Sequence, residues 1–206
     1  MKVFWLAPIF LICTSIASAS VITTFADPAL AGATTVDFTG TPLGNPASLT
    51  IGIVTFSAQV GVLSIENTIG AAFGMTAPSL VKDNGAVNIQ LVFSGPVSAL
   101  AFENVTPFAG SILSVFSNNN FTGLLEAYAI PDASASSTFA IAGLADAGIR
   151  SATITGGSLV IAAYDNFKFV PAVPVVTPEP SAMYLLGTGL AALAGFARLR
   201  AATKSR

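Results

Sequence analysis

The chain has 206 residues, of which 53% are hydrophobic and 9% are charged, and its formal net charge is −2. It contains no histidine and one cysteine, so catalytic sites that pair histidine with serine or cysteine are excluded. Zinc and copper sites are disfavoured because imidazole and thiolate are their usual ligands, whereas ions that prefer oxygen, such as calcium, remain open.

The N-terminal segment has the three parts of a secretory signal peptide. Lys2 precedes an apolar run over residues 3–12, and the small residues Ala17 and Ala19 flank Ser18. This pattern predicts that residues 1–19 are a signal peptide, cleaved after Ala19 and handled by the Sec translocon and signal peptidase. Because Cys13 leaves with it, we expect an exported mature protein without disulfide bonds.

Residues 20–170 are predicted to form one domain, since about 150 residues are enough for a single hydrophobic core. This segment has nine acidic and three basic residues, and its net charge is therefore −6. Such a surface lacks the basic footprint that nucleic-acid binding requires. It is equally unsuited to docking on anionic lipid.

Alternating hydrophobicity predicts strands through most of this domain. Along residues 87–93 the apolar side chains recur at every second position, and the turn signal Gly95-Pro96 predicts that residues 97–102 return as a hairpin partner. Further strands are predicted at 34–38, 49–56, 60–65, 112–117, 137–142, 150–155, 159–164 and 166–170. The recurring turn signals indicate an all-β sandwich, with a short helix as an alternative at 67–75 or at 122–129.

Three residues near the two ends of the domain are candidate metal ligands: Asp37, Asp165 and Asn166. In a sandwich the first and last strands often lie side by side, so these side chains are expected to converge. Carboxylate and amide oxygens suit a structural calcium ion. In the alternative interpretation, Asp165 and Asn166 satisfy backbone donors at a turn or strand edge.

Sugar-binding and catalytic sites have no signature of their own in this sequence. Trp5 falls within the signal peptide, which leaves Tyr128 and Tyr164 as polar aromatic side chains, and the phenylalanines are expected to form the core. Glycosidases need two carboxylates at a set separation, and no motif selects such a pair. We therefore predict no catalytic residues and no cofactor other than the calcium ion.

The C-terminal segment is divided into three further parts after a stiff linker at 171–177. Pro178, Glu179 and Pro180 precede an apolar run at 181–197, which would be about 25 Å long as a helix and could just cross a membrane. The basic tail 198–206 then carries Arg198, Arg200, Lys204 and Arg206. By the positive-inside rule the tail is cytoplasmic and the domain lies outside.

This C-terminal arrangement resembles the PEP-CTERM sorting signal of bacterial surface proteins. The resemblance implies recognition of Pro178, Glu179 and Pro180 by an exosortase, a membrane-embedded protease or transpeptidase, in a Gram-negative host that makes exopolysaccharide. Residues 143–169, which end in Asp165-Asn166-Phe167-Lys168-Phe169, resemble the closing part of the jelly-roll domains common in such proteins. The opening Val36-Asp37-Phe38 resembles their first strand.

The predicted protein is thus a single jelly-roll or lectin-like β-sandwich between a signal peptide and a transmembrane helix. We expect a non-catalytic surface or matrix protein, associated with exopolysaccharide. It would lie in the inner membrane before exosortase processing and at the cell surface or in the extracellular matrix afterwards. The alternatives are a lectin-like module with structural calcium and, less favoured, a secreted hydrolase.

Overall fold

The structure, a computed structural model, describes residues 19–82, 88–105, 110–131, 139–156, 162–173, 187–191 and 193–194. The chain divides into two compact units, Met1–Ala172 and Val173–Arg206. Apart from Ala19, the predicted signal peptide lies outside the described residues. The Pro-Glu-Pro triplet and the basic tail also lie outside them.

The first unit is all-β, and its strands pair in antiparallel fashion throughout the described residues. The strands are β1 (Ser20–Ile22), β2 (Thr34–Val36), β3 (Ser48–Ile51), β4 (Val54–Ala58), β5 (Ser64–Glu66), β6 (Ser79–Lys82), β7 (Ile89–Val105), β8 (Ile112–Phe116), β9 (Leu124–Ala129), β10 (Ala140–Thr155) and β11 (Ala162–Pro171). A 3-10 turn (Pro28–Leu30) and a short helix, α1 (Ile69–Ala72), complete the unit as described.

Two long strands, β7 and β10, connect two layers because each changes partners along its length. The first half of β7 pairs with β4 and with the end of β10, which in turn pairs with β8. The second half of β7 pairs with β11 and with the start of β10, which also carries β1. Register shifts in β10 after Ala145 and again after Ile149 mark the change. Strands that switch sheets through such irregularities are typical of β-sandwiches, and the fold is consistent with one.

The core between the layers is built from buried phenylalanines, as the sequence predicted. Phe56 of β4 packs edge-on against Phe167 of β11, with ring centroids 5.0 Å apart. Phe93 of β7 meets Phe169 of β11 in the same manner at 5.1 Å. Because β4 and β11 are not hydrogen-bonded neighbours, the Phe56–Phe167 contact shows that the two layers face each other across an aromatic core.

Several predicted elements differ from the structure. Residues 49–56 form the hairpin β3–β4 and not one strand, since Gly52 adopts a left-handed backbone with a φ of 57°. The hairpin predicted at Gly95-Pro96 is wrong, because β7 continues through it. Residues 94–96 have no ladder partners in β10 or β11, so the missing N–H of Pro96 breaks no ladder hydrogen bond.

Other boundaries also shift. β10 and β11 are each continuous where the sequence predicted two strands. β5 occupies only the end of predicted strand 60–65. The alternative helix at 122–129 is wrong, because β9 occupies it, whereas α1 lies within the alternative helix at 67–75. β11 ends at Pro171, one residue beyond the predicted domain boundary.

In the second unit, residues 187–191 and 193–194 are helical. Leu190 and Leu193 are exposed on this helical segment. Among the described residues, no helix is both long enough and apolar enough to cross a membrane.

Candidate functional site

A bulge in β11 creates the most unusual site in the domain. Asp165 pairs with Glu103 of β7, and the next paired residue, Lys168, faces Ala101, so β11 carries one extra residue at this point. Asn166 lies within the bulge and has a φ of 48°. Asparagine is among the few residues other than glycine that adopt this left-handed conformation readily, which explains why the sequence can bulge here.

The bulge determines which side chains face the core. Tyr164 and Phe167 both pack in the aromatic core, although they are separated by an odd number of positions. Asp165 and Glu103, as ladder partners, instead share the opposite face of the sheet. On β7 the neighbours of Glu103 on that face are Ala101 and Val105, which belong to two small apolar clusters. The carboxylates therefore lie between those clusters.

Asp165 is buried without a partner. Its side chain is 0% exposed, and neither carboxylate oxygen has a hydrogen-bond partner among the described residues. Burial, together with the neighbouring carboxylates of Glu103 and Asp37, raises the pKa of Asp165 to about 7. The backbone N–H of Asn166 opposes this in part, although its geometry is not that of a good hydrogen bond.

Glu103 is also buried, but it has a partner. Its Oε2 accepts a hydrogen bond of 2.9 Å from Nδ2 of Asn166. Burial raises the pKa of Glu103, while that hydrogen bond and the charge of Lys168 lower it in part. The Nζ of Lys168 lies 4.5 Å from the ring centroid of Phe25, in a cation–π contact.

Of the three candidate ligands that the sequence identified, Asp165 and Asn166 are adjacent in β11, and the charge of Asp37 reaches Asp165. Val36 pairs with Phe167, and Asp37 follows it on an exposed part of the chain, close enough to Asp165 to influence its pKa. Oδ1 of Asp37 accepts a hydrogen bond from the backbone N–H of Thr39. Within the described ranges, no three or more aspartate, glutamate, cysteine or histidine side chains are placed so that they could hold a metal ion.

Glu103 was not identified from the sequence. It lies in the second half of β7, where most of the residues from Val97 to Val105 are apolar and buried. A charged residue within such a buried run was the available signal, since a buried charge requires pairing or neutralisation. The cluster formed by Asp37, Glu103, Asp165 and Asn166 is called the carboxylate cluster below.

A second candidate site is an open groove of about 400 Å³ beside β5. Its lining combines two apolar side chains with a row of polar ones: Leu43, Gly44, Asn45, Ser64, Ile65, Glu66, Asn67 and Thr68. The hydroxyl of Ser64 donates to Oε1 of Glu66 at 2.7 Å, and that of Thr68 donates to Oε2 at 3.2 Å. Glu66 is thereby held in one orientation, with polar groups around it.

Of the two tyrosines that the sequence left open as sugar-binding side chains, Tyr164 is excluded by its burial. Tyr164 has no exposed surface and packs against Phe102 with centroids 5.7 Å apart. It therefore cannot stack on a sugar ring at the surface. Tyr128 is half-buried and packs against the core.

Comparison with known proteins identifies no family. No protein-family model matches the sequence, and no curated protein sequence matches it. Among solved structures, a family 29 carbohydrate-binding module from Piromyces equi is similar at 10% sequence identity, with a TM-score of 0.35. The match covers 79% of this chain and 97% of that chain. A similarity at this level carries no argument about ligand or function.

Proposed function

We propose that this protein is a non-catalytic exported surface protein, sorted and cleaved by an exosortase, with a jelly-roll-like β-sandwich as its working domain. The observation that carries the proposal is the succession of Pro178, Glu179 and Pro180, an apolar run at 181–197 and a basic tail. The two prolines fix φ and disfavour helix ahead of the run, which leaves an extended strip that a protease can grip.

The proposed route follows from the two ends of the chain. Signal peptidase removes residues 1–19 after Sec export, and residues 181–197 hold the protein in the inner membrane with the tail in the cytoplasm. The exposed Leu190 and Leu193 on the described helical segment are consistent with contact to lipid. Exosortase processing near Pro178–Pro180 then delivers the domain to the surface or matrix, where it associates with exopolysaccharide.

A catalytic role is not part of the proposal. The two carboxylates that the fold places opposite each other, Asp165 and Glu103, are buried beneath the surface of the domain. A glycosidase needs its acid and its nucleophile or base within reach of a bound sugar.

The sorting proposal is tested by expressing the full chain in a Gram-negative host with and without its exosortase. We expect the mature wild-type protein to lose its sequence beyond about Pro180 only when the exosortase is present. Glu179→Ala should accumulate in the inner membrane at its uncut mass. Glu126→Ala, which changes an exposed acidic residue of β9 in the domain, is the matched control and should be processed normally. Uncut masses and an inner-membrane location for all three proteins, with the exosortase present, would establish a permanent anchor and refute sorting.

A second candidate function, a lectin-like module, is favoured by the groove beside β5. A concave site of about 400 Å³ with several convergent polar groups is within the size range of ligand pockets. Asn45 and Asn67 offer exposed amides, which can donate to and accept from sugar hydroxyls. We propose that a neutral stretch of polysaccharide is the ligand, since the acidic domain would repel a polyanion.

This candidate is tested by affinity electrophoresis in gels that contain exopolysaccharide purified from the host. Asn67→Ala should weaken retention about 3- to 10-fold, which is the effect of losing one or two hydrogen bonds. Asn119→Ala changes an exposed asparagine at a turn distant in sequence and is the matched control. Equal retention of the two variants and the wild type would rule out the groove as the binding site.

A further inference from the structure

The carboxylate cluster has a feature that neither sorting nor sugar binding explains. Asp165 has no exposed surface and no hydrogen-bond partner at either oxygen among the described residues. An ionised carboxylate in such a place costs several kcal/mol unless it is paired, hydrogen-bonded or bound to a metal. Either a proton or a cation must therefore neutralise it.

Three polar residues close to Asp165 carry side-chain oxygens suited to a hard cation. Glu103 faces it across the β7–β11 ladder. Nδ2 of Asn166 donates to Glu103, and the Oδ1 of the same amide remains an acceptor. Asp37 adds a third negative charge within electrostatic reach of Asp165.

The nearby Lys168 does not neutralise the negative charge around Asp165. The ammonium of Lys168 lies over the ring of Phe25. Its charge acts on Glu103, whereas Asp165 has only the neighbouring carboxylates as charged groups that influence its pKa. Three carboxyl groups thus lie near a single ammonium group, that of Lys168, which also contacts Phe25.

We propose that the carboxylate cluster binds one calcium ion, with Asp165, Glu103 and the amide oxygen of Asn166 as protein ligands. Calcium accepts six to eight oxygen ligands in irregular geometry, so backbone carbonyls or waters can complete its shell around these three. Magnesium demands a near-ideal octahedron and dehydrates reluctantly, which a largely buried site does not favour. Asp37 strengthens binding by its charge. The ion would tie β7 to β11 at the bulge.

The test is calorimetric titration of calcium chloride into the full-length protein in detergent, after removal of metal with EGTA and gel filtration. We expect one ion per chain, with a dissociation constant of about 10⁻³ M or tighter, as in extracellular calcium modules. Calcium should also raise the thermal unfolding midpoint, because it binds only the folded state. Magnesium chloride at the same concentration should have a much smaller effect.

Three variants separate a calcium site from a merely acidic patch. Asp165→Asn removes the buried charge at nearly constant volume and should abolish calcium binding while the domain stays folded. Asn166→Gly keeps the left-handed backbone but removes the amide oxygen, so we expect calcium affinity to fall about 10-fold. Glu126→Gln, on the exposed strand β9, should bind calcium as the wild type does.

The outcomes are distinct. Loss of calcium binding in Asp165→Asn and its weakening in Asn166→Gly, with Glu126→Gln unchanged, support the site even if sorting and sugar binding both fail. No binding to the wild type at 10⁻² M calcium, or equal binding to Asp165→Asn, would overturn it and leave a proton as the neutralising group.

Discussion

Asn166 adopts a left-handed backbone inside a strand, and its neighbour Asp165 is buried with two oxygens that lack partners. The two observations have one cause. The extra residue in β11 returns Phe167 to the core and keeps Asp165 on the opposite face with Glu103. A residue with a branched side chain at 166 would strain that backbone by about 1 kcal/mol or more, and the bulge with it.

The buried carboxyl predicts how stability depends on pH when no metal is bound. In the unfolded chain an aspartate has a pKa of about 3.9, and in the folded domain that of Asp165 is about 7. Because the folded state holds the proton more tightly, this stabilising contribution is complete below about pH 4 and is lost as the pH rises through about 7. The other charged groups near this carboxyl are Glu103, Asp37 and Lys168.

Comparison with Asp165→Asn isolates the contribution of this one group. We expect the free energy of unfolding of the metal-free wild-type protein to fall more steeply between pH 4 and 7 than that of the variant. Urea unfolding at pH steps across this range measures both slopes. Parallel profiles would mean that Asp165 titrates normally in the folded protein.

The sequence predicted part of the carboxylate cluster, and geometry explains the rest. Asp37, Asp165 and Asn166 could be grouped because each flanks or lies in a strand with a recognisable aromatic pattern near one end of the domain. Glu103 could not be added, since its pairing with Asp165 depends on the register of β7 against β11. Register across strands about 60 residues apart in sequence is not encoded in local patterns.

At the scale of elements, the contact of β10 with β7 depends on one small residue. Gly143 lies where a Cβ atom would come within 2.5 Å of the carbonyl oxygen of Leu100 and 2.6 Å of the Cβ of Ala101. The carbonyl oxygen is a backbone atom, and a Cβ is fixed in place by the backbone. Neither can therefore rotate away from an added methyl group. A larger residue would force the two longest strands of the domain apart.

We therefore expect Gly143→Ala to lower the free energy of unfolding by about 1–3 kcal/mol, the usual cost of overpacking. Gly95→Ala is the matched control, because no heavy atom lies within 4 Å of its added Cβ and its φ lies outside the left-handed region. The control should stay within about 0.5 kcal/mol of the wild type. Urea unfolding of both variants measures the difference, and equal stabilities would show that β10 can move away from β7 at little cost.

Strand existence was easier to predict than strand continuity. The alternation of apolar residues located the parts of β7, β10 and β11 that face the aromatic core. Gly95-Pro96 in β7 and Gly148 in β10 instead mark places where a strand changes register between layers. A bend and a hairpin use the same residues, and which one forms is decided by the partner strands.

On the scale of the whole molecule, the described part of the first unit is stabilised by burial and strand pairing, with no disulfide bond. Its described part has no cysteine, since Cys13 precedes it, and its core is aromatic and continuous across both layers. The fold class and the phenylalanine core followed from composition and alternation. The way the layers share β7 and β10 did not, because it rests on long-range pairing.

The position of β11 has a mechanical consequence. This strand is the last of the domain, and the chain runs from Pro171 directly into the C-terminal segment. β11 is held by β7 along one edge and by β6 and β2 along the other. If residues 181–197 anchor the protein as proposed, a pulling force would enter β11 at its C-terminal end, and these hydrogen bonds would share the load in shear without being peeled apart one by one. A domain anchored in this way would resist flow or traction at a cell surface through the rate at which β11 slides free.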